Sequence, residues 1–568
     1  MKFSFFLRSR LIVFFVILFA GAITARLFWV QVVHGDYYSG EADRQYVSPA
    51  SDIYERGNIY FQRRDGELIS AAAQVAGFKL AVNPSQIEDS QATYESLNSL
   101  VPLNAEEFFA KVGKKDDPYE EIANRLTKEK AGAVVALKLP GVSLVREKWR
   151  FYPGANLAAH LLGFVGYQGD ELAGRYGLER QYDPLLRRSE TEPFVNFFAE
   201  VFSNIQQSFF SGEARAGNLV LTVEPQVQSL LENKLAEVQA RYAADSVGGI
   251  ILDPRNGAIY ALAALPDFDP NKFREAEGNF VFANPLVENV LEFGSVVKPL
   301  VMAAALDTGT VTAKTTYTDN GSVWVEQKEI FNFDKKGRGP GTTMQDVLNQ
   351  SLNTGMVFVE QKLGKEKLRE YLLGYGIKDK TGVDLPNETG GLVSGILKSP
   401  REIEYANAAF GQGIALTPLA LARALASLGN GGELVVPHVV AEIRYEDGTV
   451  EPMVYPTAPT KPRPETAQEI TRMLVTVMDK GIGKPLEHWS IAAKTGTAQV
   501  ADNVQGGYYT DRYTHSFFGY FPAYEPKFLI FLYTVNPKGV RYAVTTWVEP
   551  FLDLTKFLLN YYDIPPDR

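Results

Sequence analysis

From Leu11 to Val33 the chain reads LIVFFVILFAGAITARLFWVQVV, 23 residues whose sole charge is Arg26. As a helix this run spans roughly 34 Å, enough to cross a bilayer. It constrains everything after it. Lys2, Arg8 and Arg10 precede it, so the positive-inside bias keeps the N-terminus in the cytoplasm and sends the rest of the chain to the other side. Arg26 reads as a snorkelling side chain near the outer interface and Trp29 as an interfacial aromatic. The competing reading is a cleaved signal peptide, with Leu11 to Ala25 as its apolar region and Ala20-Gly21-Ala22 as a cleavage-site mimic. Either way the bulk of the chain lies outside the cytoplasm, away from ATP and nucleotides.

At about 150 residues per domain, 568 residues predict several units rather than one core. The divisions expected are a tail over 1–10, an anchor over 11–33, a first extracytoplasmic domain over 34–215 and a second over 216–568. Asp and Glu number 67 against 57 Lys and Arg, a formal charge of −10 that gives no drive toward nucleic acid. With no cysteine, disulfides, zinc ribbons, iron–sulfur clusters and a thiol nucleophile are excluded.

Residues 34–215 are mixed. Arg56 to Ser70 predicts a hairpin turning at Asp65-Gly66, and Ala105 to Lys138 predicts a solvated helical lobe broken at Pro118. Ser211 to Asn218, small and polar, marks a boundary. Beyond it, Pro225 opens a helix whose apolar positions Val227, Leu230, Leu231, Leu235, Val238 and Tyr242 follow helical spacing. Two strand-like runs then flank Asn256-Gly257, a hairpin signal, so the fold class is multidomain α+β with an antiparallel sheet. Pro452 to Pro464 is proline-rich and reads as a loop.

No phosphate-binding glycine loop, nucleophile elbow or HExxH is present, and the five histidines are scattered. No metal and no cofactor is expected. Chemistry gathers instead at Phe293-Gly294-Ser295-Val296-Val297-Lys298-Pro299, followed by an apolar helix. Pro299 clashes with the carbonyl four residues back, that of Ser295, which places Ser295 at or near the helix N-cap. Lys298, one turn on, shares its face, and burial would depress the lysine pKa toward that of a base. Helix-terminal N–H groups could serve a developing oxyanion. Alone, the pair is equally an ordinary cap and a snorkelling lysine. Two further segments follow: Ser351-Leu352-Asn353 within a helical-looking run, and Lys494-Thr495-Gly496-Thr497 in a strand-like run whose glycine admits a second backbone.

In this order, SxxK, SxN and KTG form the signature set of penicillin-binding proteins and serine β-lactamases. With the N-terminal span, Arg56-Gly57-Asn58-Ile59, Tyr152-Pro153-Gly154, Gly177-Leu178-Glu179 and FGQGIALTPLALA, the chain resembles a class B penicillin-binding protein along nearly its whole length. The resemblance implies a membrane-anchored peptidoglycan D,D-transpeptidase with a pedestal, dimerisation-type domain and a transpeptidase domain. It makes Ser295 the acylated nucleophile, Lys298 its base and Ser351 a proton shuttle. Asn353 would hold the stem-peptide amide, Lys494 supply positive field, Thr495 and Thr497 bind the terminal carboxylate beside Gly496, and the N–H groups of Ser295 and Thr497 form the oxyanion hole. Implied partners are D-Ala-D-Ala donor and amine acceptor stem peptides, β-lactams, a SEDS-family glycosyltransferase and the membrane.

Phe293, Leu352 and Ala493 depart from the family's usual Pro, small residue and Gly, and Phe293 and Leu352 are expected to narrow the cleft. A serine β-lactamase would need a water-activating group, and no convincing ExxxN follows the second motif. A β-lactam receptor would need further spans, and a non-catalytic scaffold would not need intact motifs. Within the family, FGQGIALTPLALA and the lack of a long pedestal insertion resemble the septal type more than the elongation type.

Overall fold

The computed structural model describes residues 55–568 apart from 169–170, 189–215, 277, 482–485 and 503–505, together with four isolated positions before residue 55. The span expected over 11–33 and most of the Ser211–Asn218 boundary fall outside the described residues. Among the described residues no helix is long and apolar enough to cross a membrane. The chain divides into two compact units. One holds Val75–Trp149 and the residues up to Glu55; the other holds Arg56–Gln74 and Arg150–Arg568.

The predicted hairpin is present. β1 (Ile59–Gln62) pairs antiparallel with β2 (Leu68–Val82), Tyr60 opposite Ser70, across a turn in which Gly66 takes φ 86°. In the smaller unit, α1 (Ser90–Asn98), α2 (Ala105–Val112), β3 (Glu120–Leu126) and α3 (Lys128–Ala136) enclose Leu80, Val82, Leu97, Phe108, Leu126 and Val134. The helical lobe expected over 105–138 is therefore interrupted by a strand. The helix already ends at Val112 with Gly113 as its C-cap, and β3, beyond Pro118, takes up the ladder of β2, Leu80 opposite Ala123. That pairing is invisible to local pattern because Glu120-Glu121-Ile122 reads as a polar helix face.

The larger unit is built on an antiparallel five-stranded sheet. Its strands are β4 (Ser246–Leu252), β5 (Ile259–Leu265), β6 (Ala492–Ala501), β7 (Tyr508–Phe521) and β8 (Phe528–Val535), in the order β5-β4-β8-β7-β6. Side chains alternate between its faces. Phe517, Phe521, Ile530 and Leu532 pack with α4 (Pro225–Tyr242) and α5 (Ala543–Tyr561), whereas Phe518, Tyr520, Leu529, Phe531 and Tyr533 join the helical core. Both faces are thus covered, which is why these strands read as continuous apolar runs. α4 has the predicted bounds and buries Val227, Leu231, Leu235 and Val238. The Asn256-Gly257 turn joins β4 to β5 as expected. At the centre of the helical side lies α6 (Lys298–Asp307), with Leu300 to Ala305 at 0% exposure.

Segments far apart in sequence meet in one buried ion cluster of the larger unit. Glu179, at 0% exposure, receives Arg56 Nε at 2.6 Å on one oxygen and Arg150 Nε at 2.6 Å on the other, with the Tyr152 hydroxyl at 3.2 Å. Burial alone would raise the Glu179 pKa; the charges of Arg150 and Arg56 and their hydrogen bonds outweigh it and hold the carboxyl below its usual range. Such a group stabilises the fold above the ordinary carboxylate range and loses its contribution as pH falls through the depressed value. Glu179→Gln removes the carboxylate shared by Arg56 and Arg150, leaving Arg56 its ion pair with Asp183. It is expected to lower stability at neutral pH by about 3–5 kcal/mol, measured by denaturant unfolding, with the gap closing in acid.

Candidate active site

Pro299 has no N–H to give to the carbonyl of Ser295, so that carbonyl is taken one residue earlier by the Lys298 N–H. The outcome is a 3₁₀ turn, Gly294–Val297, running straight into α6. Ser295 therefore lies in the opening turn, near the helix start as the sequence predicts, while the cap positions themselves are Phe293 for the turn and Val297 for α6. Three residues apart, Ser295 and Lys298 stay on one face.

The turn is held against β6, the edge strand of the sheet. A Cβ built on Gly496 would meet the Phe293 carbonyl oxygen at 2.4 Å, and one on Gly294, at φ 64°, would meet the Thr497 carbonyl oxygen at 2.8 Å. Glycine at both places permits this backbone-on-backbone approach. Ser516, opposite Gly496, donates its hydroxyl to the Phe293 carbonyl at 2.8 Å.

The second motif is not inside one helix. α7 (Met344–Asn349) ends, Ser351 takes φ 54°, and α8 (Asn353–Leu363) begins. A non-glycine residue in the left-handed region marks a site where surrounding structure imposes the conformation. Its loop is fixed from below. Thr354 donates from N–H to Asn332 Oδ1 at 3.2 Å and from its hydroxyl to Asp319 at 2.8 Å, and Asn332 and Asp319 are each 1% exposed. Neither residue carries a sequence signal, since the contact spans 22 or more residues with no spacing motif.

These elements bring Lys298, Ser351, Asn353 and Lys494 together. The Lys298 amine lies 2.7 Å from the Ser351 carbonyl oxygen, 2.9 Å from Asn353 Oδ1 and 3.3 Å from Ser351 Oγ. Asn353 in turn donates to the Phe331 carbonyl at 2.9 Å. Lys494 reaches Ser351 Oγ and the Thr495 carbonyl, each at 3.0 Å. Among the described residues neither amine has a carboxylate partner. Burial, then the charge of Lys494, pushes Lys298 well below the lysine range; burial brings Lys494 to about 7.

Ser295 Oγ makes no hydrogen bond to Lys298, so the pair shares a face without touching. Ser295, Ser351, Asn353, Lys494, Thr495 and Thr497 line one cleft of about 840 Å³, between the helical part and β6, with Gly496 in its wall. Thr497 Oγ1 accepts the Ala543 N–H at 3.2 Å, tying the strand to α5. No histidine lines the cleft among the described residues. His515, paired across from Thr497, is occupied by Thr546 and the Arg541 carbonyl, and burial lowers its pKa to about 4. Phe293 and Leu352, expected to narrow the cleft, do not line it. Phe293 is 1% exposed and packs edge-on against Phe531, and Leu352 is 0% exposed in the core. The mouth is bounded instead by Phe333 and Tyr542, rings 5.8 Å apart and T-shaped, which the sequence did not single out.

Residues 247–551 match the family described as the penicillin-binding protein transpeptidase domain, and residues 53–196 match the penicillin-binding protein dimerisation domain. The chain belongs to the class B penicillin-binding proteins. It is 30% identical to the stage V sporulation protein D of Bacillus subtilis, over 94% of this chain and 82% of that protein. It is 26% identical to the peptidoglycan D,D-transpeptidase FtsI of Buchnera aphidicola, over 97% and 94%. Penicillin binding protein 3 from Mycobacterium tuberculosis superposes with a TM-score of 0.64 at 25% identity, covering 74% of this chain and 92% of that one. This penicillin-binding protein is accordingly a serine-type transpeptidase.

A lysine held at about 7 but titrating near 10.4 when unfolded binds more protons in the unfolded chain across that window. Its destabilising effect therefore relaxes as pH rises. Lys494→Met is expected to raise the Tm at pH 7 and to lose that advantage progressively toward pH 10, as followed by calorimetry.

Proposed function

We propose that Ser295 is the nucleophile of a D,D-transpeptidase that cross-links peptidoglycan stem peptides, with Lys298 as its base. The observation that carries this reading is the coordination of Lys298. The Ser351 carbonyl and Asn353 Oδ1 only accept, so they take both N–H bonds of a neutral amine and leave its lone pair for a hydroxyl. Burial and then the charge of Lys494 push its pKa down, which favours the neutral, basic form of that amine.

Ser295 Oγ attacks the carbonyl carbon between the two D-alanines as its proton passes to Lys298 Nζ. The carbon–nitrogen bond then breaks, and the proton travels through Ser351 Oγ, within 3.3 Å of one lysine and 3.0 Å of the other, to the leaving D-alanine amine. An amine of a second stem attacks the acyl-enzyme and restores the serine. Ser295 sits in the first turn of its helix, where N–H groups lack intrahelical partners, and Thr497 sits on an edge strand, so their N–H groups form the oxyanion site. Thr495, Thr497 and the partly protonated Lys494 receive the terminal carboxylate. Asn353, already bridging Lys298 and the Phe331 carbonyl, both orients the base and offers its second N–H to the stem-peptide amide.

The same reading makes the protein a β-lactam target held in the cytoplasmic membrane by residues 11–33, N-terminus inward, with a pedestal over 34–215 and the catalytic domain over 216–568. A SEDS-family glycosyltransferase supplies its strands. FGQGIALTPLALA and the short pedestal favour a septal role over elongation. Depletion in the parent bacterium is then expected to give filaments; round cells would assign the elongation role instead.

Incubation with benzylpenicillin followed by intact-protein mass spectrometry is expected to show one stable adduct that Ser295→Ala abolishes. Hydrolysed drug without an adduct would indicate a lactamase, and intact drug without an adduct would refute the nucleophile.

A further inference from the structure

A second concavity of about 610 Å³ adjoins the cleft, walled by the start of β7 and the loop that follows β8. Arg512, Lys538 and Arg541 line it against a single acid, Asp511, on a chain whose formal charge is −10. Tyr513 and Arg541 line both the recess and the cleft, so the two are continuous.

The two guanidinium groups are exposed, and each sits over an aromatic ring. Arg512 lies 4.1 Å from the Tyr509 ring centroid and Arg541 lies 5.5 Å from that of Tyr542. Among the described residues neither side chain has a hydrogen bond or an ion pair, and Lys538 reaches Asp245 only at 3.9 Å. Stacking fixes the plane of a guanidinium while leaving its edge of N–H donors free, an arrangement matched to a planar, two-oxygen acceptor.

The recess also lies in line with the strand on which substrate would be placed. Gln499, two residues beyond Thr497 on β6, is paired with Tyr513. Gln499, Tyr513 and Arg541 all line the cleft, so a peptide lying in it along β6 passes the mouth of the recess, and a side group on it reaches Arg541 and Arg512.

We propose that this recess is a carboxylate subsite for the peptide strand bound in the cleft, selecting strands that carry a second carboxylate upstream of the D-Ala-D-Ala terminus. The proposal rests on the transpeptidase reading of the cleft. Its ligand is peptide-borne rather than a free anion, because the recess opens into the peptide site and shares two of its walls.

The test is competition against acylation of the full chain in detergent by a fluorescent penicillin. The competitors are acetyl-Glu-D-Ala-D-Ala against acetyl-Gln-D-Ala-D-Ala, and acetyl-Glu-Lys-D-Ala-D-Ala against its Gln counterpart. In at least one pair the carboxylate peptide is expected to compete roughly tenfold better than its carboxamide at low salt, as charge-assisted hydrogen bonds would give. The ratio should shrink in about 1 M salt. It should fall close to one in Arg512→Ala and in Arg541→Ala, and because each ratio is taken within one variant, general damage cancels. Parity of both pairs in the parent protein, a ratio unchanged in both variants, or no slowing of acylation by any peptide would overturn the subsite. Absence of acylation by the penicillin itself would instead remove the reading of the cleft, and the subsite with it.

Discussion

Two lysine amines share one serine hydroxyl in a buried place where, among the described residues, neither has a carboxylate partner, and most of the catalytic unit is arranged around that unfavourable fact. A pair of ammonium ions in so little water would be costly, and burial lowers the pKa of both amines. What remains must still satisfy their N–H bonds. The backbone of Ser351 is bent into the left-handed region, which turns its carbonyl to Lys298, and Asn353 follows at once with a second acceptor. The conformation of Ser351 is imposed by Asp319, Asn332 and Thr354 beneath the loop, a rigid support for a group whose orientation sets the chemistry.

The turn that carries Ser295 follows from an equally local conflict. Proline at 299 denies Ser295 its helical hydrogen bond, and the backbone answers with a tighter turn. That turn could still stand away from the sheet, were it not for two glycines facing one another's backbones, Gly294 and Gly496. One proline and two glycines thus put a hydroxyl at the start of a helix within reach of an edge strand, with no special chemistry in any of the three.

Much of this was legible in the sequence because it is encoded by short-range patterns. The bounds of α4, the two hairpins and the three motif segments each depend on residues within a few positions of one another. What local pattern missed depends on distant partners. β3 looks helical until β2 offers it a ladder, and Asn332 and Asp319 are anonymous polar residues until Thr354 meets them. Phe293 and Leu352 show a subtler limit. Their bulk was readable, but the direction of a side chain next to a catalytic residue was not, and both turn into the core. Likewise Arg56 stands 123 residues from Glu179 and Arg150 stands 29 from it, yet the three close on one another in a single buried cluster.

The sheet's architecture decides where such a site can be. With both faces buried under helices, three strands paired on both sides and β5 at the far edge, β6 is left as the edge beside the cleft. An open edge ordinarily invites another sheet. Here the opposite wall stands too near for that. The segment running through Phe331, Asn332 and Phe333 is bonded to Asn353 and Thr354 on one side, and Phe333 meets Tyr542 across the mouth. An extended chain added to β6 would run past Thr495, Thr497, Tyr513 and Arg541, which line the cleft. On the proposed reading the fold thereby turns an aggregation hazard into a peptide site, and the burial that comes with this confinement is what lowers the pKa of both lysines.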